Sequence, residues 1–269
     1  MKTILRYGLA ILIVALFVIP FYMLFTLAGK TAMDTSSMWR LPGYVNFGNY
    51  AAAWNKAHLG RALINNVVIT AFSVFFIVGV GSAAAYPLAR KKTRLNRIVG
   101  TILISCLIVP PLTILVPLYK FVVDIHGLNT RWAMVCILVT FQLPLCVYLY
   151  KNFIQTVPAE LDEAAVIDGC GPKTTFVRIL LPLLKPVTSS VVILCGIQVW
   201  NDYQFSVFFL QRSEVHTVAI ALSQFVSQFQ NDIGLVAAGC LLGLLPMTLV
   251  YLGLQKYFVK GLSEGAVKG

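Results

Sequence analysis

Four carboxylates fall close together in this chain, directly before a glycine-rich turn. They are Glu160, Asp162, Glu163 and Asp168, and the sequence Gly169-Cys170-Gly171-Pro172-Lys173-Thr174 follows. A phosphate-binding loop requires glycine directly before the lysine and a β-strand before the loop. Here a proline precedes the lysine, the residues before the turn have a helical pattern, and the chain contains no Walker A sequence. We therefore predict that this chain is not an enzyme and does not itself hydrolyse ATP.

The acidic residues are expected to lie on a short helix. Pro158 suits a first helical turn, and the helix dipole favours the carboxylates that follow it. Leu161, Ala164, Ala165 and Asp168 share one face, because they are spaced three and four residues apart. The two alanines keep that face thin, so another surface can approach it closely.

A turn and a second helix are expected next. Gly169 can adopt the left-handed conformation that ends a helix, and Gly171-Pro172 favours a turn. The residues from 173 to 181 then suit a second short helix, and Pro182 and Pro186 lead into the next apolar segment. The region 152–185 is thus predicted to be a helix-turn-helix.

Two roles are open for such a loop. It can rest on lipid headgroups as an amphipathic connector, or it can bind a protein. Helices that lie on a membrane surface usually carry lysine and arginine, because the inner leaflet is anionic. The acidity of the first helix therefore favours a basic protein surface.

The rest of the chain is mostly apolar. Of its 269 residues, 58% are hydrophobic and 12% are charged, with a mean hydropathy of +0.82. These values predict an all-α integral membrane protein with one transmembrane domain over 1–269. We expect six spans at about 7–28, 65–89, 98–119, 132–151, 186–207 and 234–256. Pro110-Pro111 and Pro117 interrupt the third span, and Pro246 lies in the sixth.

Basic residues predict the orientation. The loop after the second span carries Arg90, Lys91, Lys92, Arg94 and Arg97, which places it in the cytoplasm. Both termini and the loop 152–185 then also lie inside, with about two thirds of the basic residues on that side. The net charge of +11 is thus an orientation feature, and nucleic acid is not expected as a partner. Lys2 and Arg6 before an apolar run also resemble a signal peptide, although the run is long for one.

Cysteine and histidine offer little chemistry. All cysteines except Cys170 fall in apolar segments without a C-x-x-C pair, which predicts small buried side chains. The histidines fall in predicted loops, so no metal site is expected.

Polar groups at membrane depth are candidates for a transport path. Those we single out are Gln142, Gln198, Trp200, Asn201, Asp202 and Tyr203. Asp202 is the one carboxylate within the predicted spans, and it can equally be a structural cap. Trp200 and Tyr203 can equally belong to the aromatic belt at the membrane interface. Gly239 and Gly243 are spaced for close helix packing, not for binding.

Three motifs resemble a known family. Glu163-Ala164-Ala165, Asp168-Gly169 and Ile179-Leu180-Leu181-Pro182 are similar to the EAA loop of permease subunits of binding-protein-dependent ABC importers. Trp200-Asn201-Asp202-Tyr203 resembles a motif of the carbohydrate branch. The tail, Gln255 to Leu262 and then Gly265 to Gly269, is similar to that of the smaller maltose permease subunit. Cys170 departs from the alanine that is usual in the family.

The resemblance implies a membrane subunit of a prokaryotic importer for an oligosaccharide, a disaccharide or a sugar derivative. It implies a second, homologous permease subunit, two ATPase subunits and an extracellular or periplasmic sugar-binding protein as partners, besides membrane lipid. ATP and Mg would be bound by the ATPase subunits and no cofactor by this chain. The EAA loop would be the coupling helix, with contacts from Glu160, Leu161, Asp162, Glu163, Ala164, Ala165, Asp168, Gly169 and Pro182.

Two other classes of protein fit less well. A secondary transporter usually shows internal repeats and ion-coupling carboxylates at the bilayer midplane. A membrane enzyme would need clustered histidine, aspartate or cysteine near one interface.

The outer segment 29–64 is rich in aromatic residues, and we expect it to be ordered, to pack over the outer face, and to contact the binding protein or the other permease. Span five is expected to move first, since it follows the loop directly.

Overall fold

A computed structural model of the chain describes residues 2–31 and 33–266. Within these ranges the chain is helical and contains no β-strand, as predicted. Val267, Lys268 and Gly269 of the tail motif lie outside the described residues.

The helices vary widely in length. The longer ones are α1 (Lys2–Ala28), α2 (Phe47–Lys56), α3 (Leu59–Arg90), α4 (Arg94–Cys106), α5 (Leu115–Asp124) and α6 (Arg131–Thr156). The polar loop contains α7 (Glu160–Ile167), α8 (Pro172–Thr174), a π-helical segment (Thr175–Leu180) and α9 (Leu181–Leu183). It is followed by α10 (Lys185–Trp200), α11 (Ser206–Phe209), α12 (Val218–Phe229) and α13 (Ile233–Ala266). Short 3-10 turns occupy Pro111–Ile114 and Ser213–Val215.

Four stretches are long and apolar enough to cross a membrane as single helices: Leu5–Ala28, Leu59–Arg90, Arg131–Thr156 and Ile233–Gly253. Two further pairs are bent: Arg94–Cys106 with Pro111–Asp124 by 97°, and Pro172–Leu183 with Lys185–Trp200 by 76°. Counting each pair as one span gives the predicted six. The predicted interruption of the third span is confirmed at Pro110-Pro111, where consecutive prolines remove backbone donors from the helix. It is wrong at Pro117, which lies in the first turn of α5, where a missing N–H is tolerated.

The fifth predicted span is shorter than expected. Helix α10 ends at Trp200, whereas the apolar pattern suggested continuation to 207. The chain turns at Asn201 and begins the short helix α11 at Ser206. Composition did not reveal this end, because Phe205 to Leu210 is again mostly apolar.

The chain divides into two compact units. One comprises Met1–Ile64 and His216–Thr248, and the other comprises Asn65–Val215 and Leu249–Gly269. The first unit has a core made mostly of alanine and leucine side chains, among them Ala28, Ala53, Ala238 and Leu241, together with Phe225.

Glycines allow α12 and α13 to approach closely. A Cβ atom on Gly239 would lie 3.1 Å from the Phe225 ring, and one on Gly243 would lie 2.7 Å from a Leu222 methyl. The packing role that their spacing predicted is therefore confirmed.

The outer segment is ordered by hydrogen bonds, as expected. Tyr22 and Thr26 of α1 donate their hydroxyl protons to the carbonyls of Trp39 and Met38, each at 2.8 Å. The buried ammonium of Lys30 donates to the carbonyls of Ser36 and Ser37 and to the Ser36 hydroxyl, at 2.7–3.1 Å. These hydrogen bonds connect residues 36–39, which precede α2, to the end of α1 and to Lys30 just after it.

The second unit is built on α6 and α10. Tyr150 is fully buried, and its hydroxyl donates to Thr188 on α10 at 2.9 Å. Cys146 donates to the carbonyl of Ile77 at 3.2 Å, and a side chain on Gly81 would overlap its sulfur. Helices α3 and α6 are therefore in close contact at this level.

The prediction of buried cysteines holds only in part. Cys146 and Cys195 are buried, and Cys170 and Cys240 are half-buried. Cys106 and Cys136 are exposed, and both line an apolar cavity of about 400 Å³ between α4, α5 and α6. The bend at Pro110-Pro111 separates the two halves of the third span and leaves this space.

Candidate functional site

The acidic helix is α7, and its start lies later than expected. It begins at Glu160, with Ala159 at the cap position, so Pro158 lies outside the first turn. Glu160, Asp162 and Glu163 occupy the first turn, where the N-terminal dipole favours carboxylates.

The turn after α7 has the geometry that its glycine predicted. Gly169 has a φ of +78°, in the left-handed region. The N–H of Gly169 donates to the carbonyl of Val166 at 3.0 Å, and that of Cys170 donates to Ala165 at 2.8 Å. These two bonds form a Schellman motif, which satisfies carbonyls at the helix end.

The second half of the loop is helical, as predicted, but includes a π-helical segment. Ala165, Thr175 and Leu180 are buried in this part of the loop. Thr175 donates its hydroxyl proton to the carbonyl of Gly171 at 3.2 Å. Pro182 lies exposed in α9, one turn before α10 begins. Ala165, Thr175 and Leu180 therefore form the inward side of the folded loop.

Three carboxylates of the loop remain at the surface. Glu160, Glu163 and Asp168 are exposed, and within the described part of the chain their carboxylates make no hydrogen bond or ion pair. They give α7 a negatively charged surface that is available to a partner.

Apolar side chains accompany these carboxylates. Ile167 is 85% exposed, Val166 is 68% exposed and Leu161 is 40% exposed. Ala164 is exposed beside them, whereas Ala165 is buried. Val166 and Ile167 were not among the site residues predicted from the sequence. Their position directly before Asp168-Gly169 could have indicated a contact surface, because exposed apolar residues at the end of a polar helix need a partner.

Asp162 differs from the other carboxylates because it faces inward. Its Oδ2 atom lies 2.5 Å from Nε of Arg90 at the end of α3. The Tyr86 hydroxyl donates to its Oδ1 atom at 3.4 Å. The arginine Nε–H does not align with the carboxylate as a hydrogen bond, so this is a close charge contact. A cavity of about 370 Å³ adjoins the pair, lined also by Lys91, Val166 and Phe176.

The structure brings only some of the candidate transport-path residues into contact with one another. Gln142 of α6 donates to Gln198 of α10 at 3.5 Å, so the structure brings these two amides together. Asn201 and Tyr203 are exposed in the turn after α10. Trp200 is buried, and its carbonyl accepts a hydrogen bond from Asn66 at 3.1 Å.

Asp202 was considered both as a transport-path residue and as a structural cap, and its hydrogen bonds are those of a cap. Its Oδ2 atom accepts hydrogen bonds from the backbone N–H and the hydroxyl of Ser206, at 2.9 and 2.7 Å. Its Oδ1 atom accepts from the N–H of Phe205 at 3.4 Å. The carboxylate thus caps the start of α11.

The apolar helices are those of a multi-pass membrane protein, and the folded acidic loop lies between two of them. Residues 57–264 match the family described as binding-protein-dependent transport system inner membrane component. The chain belongs to this family, and it is a permease subunit of the bacterial inner membrane.

Two relatives are similar in sequence to this chain along nearly its whole length. The melibiose/raffinose/stachyose import permease protein MelC of Bacillus subtilis is 47% identical over 262 residues, covering 97% of this chain and 95% of that protein. The probable starch degradation products transport system permease protein AmyC of Thermoanaerobacterium thermosulfurigenes is 31% identical, with coverage of 97% and 95%.

A solved structure shares the fold. It belongs to a bacterial ABC transporter involved in the import of the acidic polysaccharide alginate. It superposes with a TM-score of 0.82 at 20% identity, covering 95% of this chain and 96% of that one.

Proposed function

We propose that this chain is one of two homologous permease subunits of an ABC importer for short oligosaccharides of the melibiose, raffinose and stachyose type. The substrate class rests on the 47% identity to MelC over nearly the full length of both chains. In this proposal an external binding protein delivers the sugar, and two separate subunits bind and hydrolyse ATP. The loop 152–185 lies on the cytoplasmic side, as do both termini.

The proposed coupling role rests on the surface of α7. Glu160, Glu163 and Asp168 supply negative charge, and Val166 and Ile167 supply apolar area. An exposed apolar group surrounded by charged residues is typical of a protein contact. A basic cleft on the ATPase subunit would pair with the carboxylates and cover the apolar side chains. Asp162 would contribute indirectly, because it is paired with Arg90 inside this chain.

The sugar path is proposed to run beside the amide pair of the second unit. Gln142 and Gln198 offer donors and acceptors that match sugar hydroxyls, and both are partly accessible. Exposed Asn201 and Tyr203 extend the polar surface beyond the end of α10. Asp202 and Trp200 would support this region by capping and packing.

The test of the coupling role is charge reversal at Glu163. We expect Glu163→Lys to abolish co-purification of the ATPase subunits, or sugar-stimulated ATP hydrolysis, while membrane insertion stays normal. Asp124→Lys is the matched control, because Asp124 is also an exposed carboxylate but lies in α5. Normal ATPase binding and transport in Glu163→Lys would contradict the proposed docking surface.

The substrate class has its own test. A complex reconstituted with its binding protein should take up radiolabelled raffinose, and unlabelled melibiose and stachyose should compete. Maltose serves as the control sugar, and uptake of maltose in preference to raffinose would reject the substrate assignment while leaving the coupling role intact.

A further inference from the structure

Arg90 lies where three segments of the second unit meet. It is the last residue of α3, and its guanidinium donates to backbone carbonyls at the end of α6 and just beyond. Nη1 donates to Ile154 at 3.2 Å and to Val157 at 2.9 Å, and Nη2 donates to Pro158 at 3.3 Å. Carbonyls at a helix C-terminus have no partner within the helix, and a cation is favourable there. Arg90 therefore fastens α3 to the end of α6.

The same guanidinium also holds the acidic helix. Its Nε atom lies 2.5 Å from the carboxylate of Asp162, and the two side chains are only 16% and 19% exposed. Tyr86, one turn earlier on α3, donates to the other oxygen of the same carboxylate. Two side chains of α3 thus contact a single carboxylate of α7. Charge contacts that are withdrawn from water are sensitive to the loss of either partner.

The chain connections of α7 are less direct than this contact. On one side the segment Val157 to Ala159 leads back to α6, and on the other side the turn at Gly169 leads on to α8. The path from α7 to α10 passes through that turn, a π-helical segment and a bend of 76°. A displacement of α7 can be absorbed at each of these points, whereas α3 is one continuous helix from Leu59 to Arg90.

We propose that Arg90 and Asp162 are positioning residues that make α3, the second span, move with the acidic helix when the ATPase subunits close. This proposal rests on the coupling role given above to α7. It differs from the prediction that span five moves first, because the side-chain contacts of the loop connect it to α3. Arg90 adds the end of α6 to the same rigid group through its three carbonyl contacts. Rigid-body movement of packed helices is a common form of conformational coupling.

The experiment uses the complete transporter in proteoliposomes, with raffinose as the transported sugar. Four variants are compared with the wild type: Asp162→Asn, Arg90→Ala, Arg90→Lys and the double variant Arg90→Ala/Asp162→Asn. Lys92→Ala is the matched control, because Lys92 is a nearby exposed basic residue that forms no ion pair within the described part of the chain. Bound ATPase, ATP hydrolysis and sugar uptake are measured on the same preparations.

We expect Asp162→Asn to retain bound ATPase and to lose about threefold or more in sugar transported per ATP hydrolysed. Arg90→Lys should retain more of this ratio than Arg90→Ala, because it keeps the charge. In the Arg90→Ala background the Asp162→Asn change should have no further effect, because the pair is already broken. If the complex with Arg90→Ala fails to assemble, Asp162→Asn still tests the proposal, since that change leaves the carbonyl contacts of Arg90 intact.

Two results would overturn the proposal. One is an unchanged transport-to-hydrolysis ratio in Asp162→Asn. The other is an equal loss of assembled complex, hydrolysis and transport, which would make the pair merely structural. Failure of the coupling role itself is recognised separately, because Glu163→Lys would then retain both normal ATPase binding and normal transport.

Discussion

Truncation of Ile167 tests the apolar part of the docking surface. Its side chain is 85% exposed in the isolated chain, so nearly all of its area is available for burial by a partner. Replacement by alanine removes about three methylene-sized groups, at about 0.8 kcal/mol each when fully buried. The loss of about 2 kcal/mol corresponds to roughly 30-fold weaker binding of the ATPase subunit.

The assay is a titration of labelled ATPase subunits against the purified permease pair in detergent. Ile167→Leu keeps the apolar volume and should bind within about twofold of the wild type. Met33→Ala is the control for a general effect of removing an exposed apolar side chain, because Met33 is 93% exposed in the outer segment. If Ile167→Ala binds as tightly as the wild type, Ile167 is not covered by the ATPase, and the proposed surface is misplaced.

Three further changes test the loop and the packing. Gly169→Ala places a side chain at a φ of +78° and should weaken ATPase binding about fivefold or more, measured against Gly171→Ala, whose φ is −77°. Gly243→Ala overpacks the contact with α12 and should cost about 1–3 kcal/mol in thermal unfolding, whereas Gly253→Ala, which has open space, should not. Asp202→Ala removes the cap of α11 and should lower the free energy of unfolding by about 1 kcal/mol, while the KM for sugar changes little.

The sequence was informative where local chemistry determines the structure. Gly169 predicted its own left-handed turn, because few other residues adopt that conformation. Consecutive prolines predicted the break in the third span. The spacing of Gly239 and Gly243 predicted close packing, although not against which helix.

Long-range contacts explain what the sequence could not provide. Asp162 and Glu163 are adjacent acidic residues in one helical turn, and only the position of Arg90 far back in the chain distinguishes them. After α10 ends at Trp200, Asp202 caps the next helix, α11, and composition does not reveal this local arrangement. Exposure of Val166 and Ile167 was not predicted, because it depends on how α7 packs against the rest of the chain.

The π-helical segment Thr175–Leu180 has a consequence for insertions and deletions in this loop. A π-helical turn holds about one residue more than an α-helical turn. Deletion of one residue here would restore regular α-helix while leaving both ends of the segment close to their present positions. The same deletion within α7 would instead rotate the following side chains by about 100° and turn a different face outward. Length changes in the family should therefore be tolerated at the π-helical segment and avoided in the acidic helix.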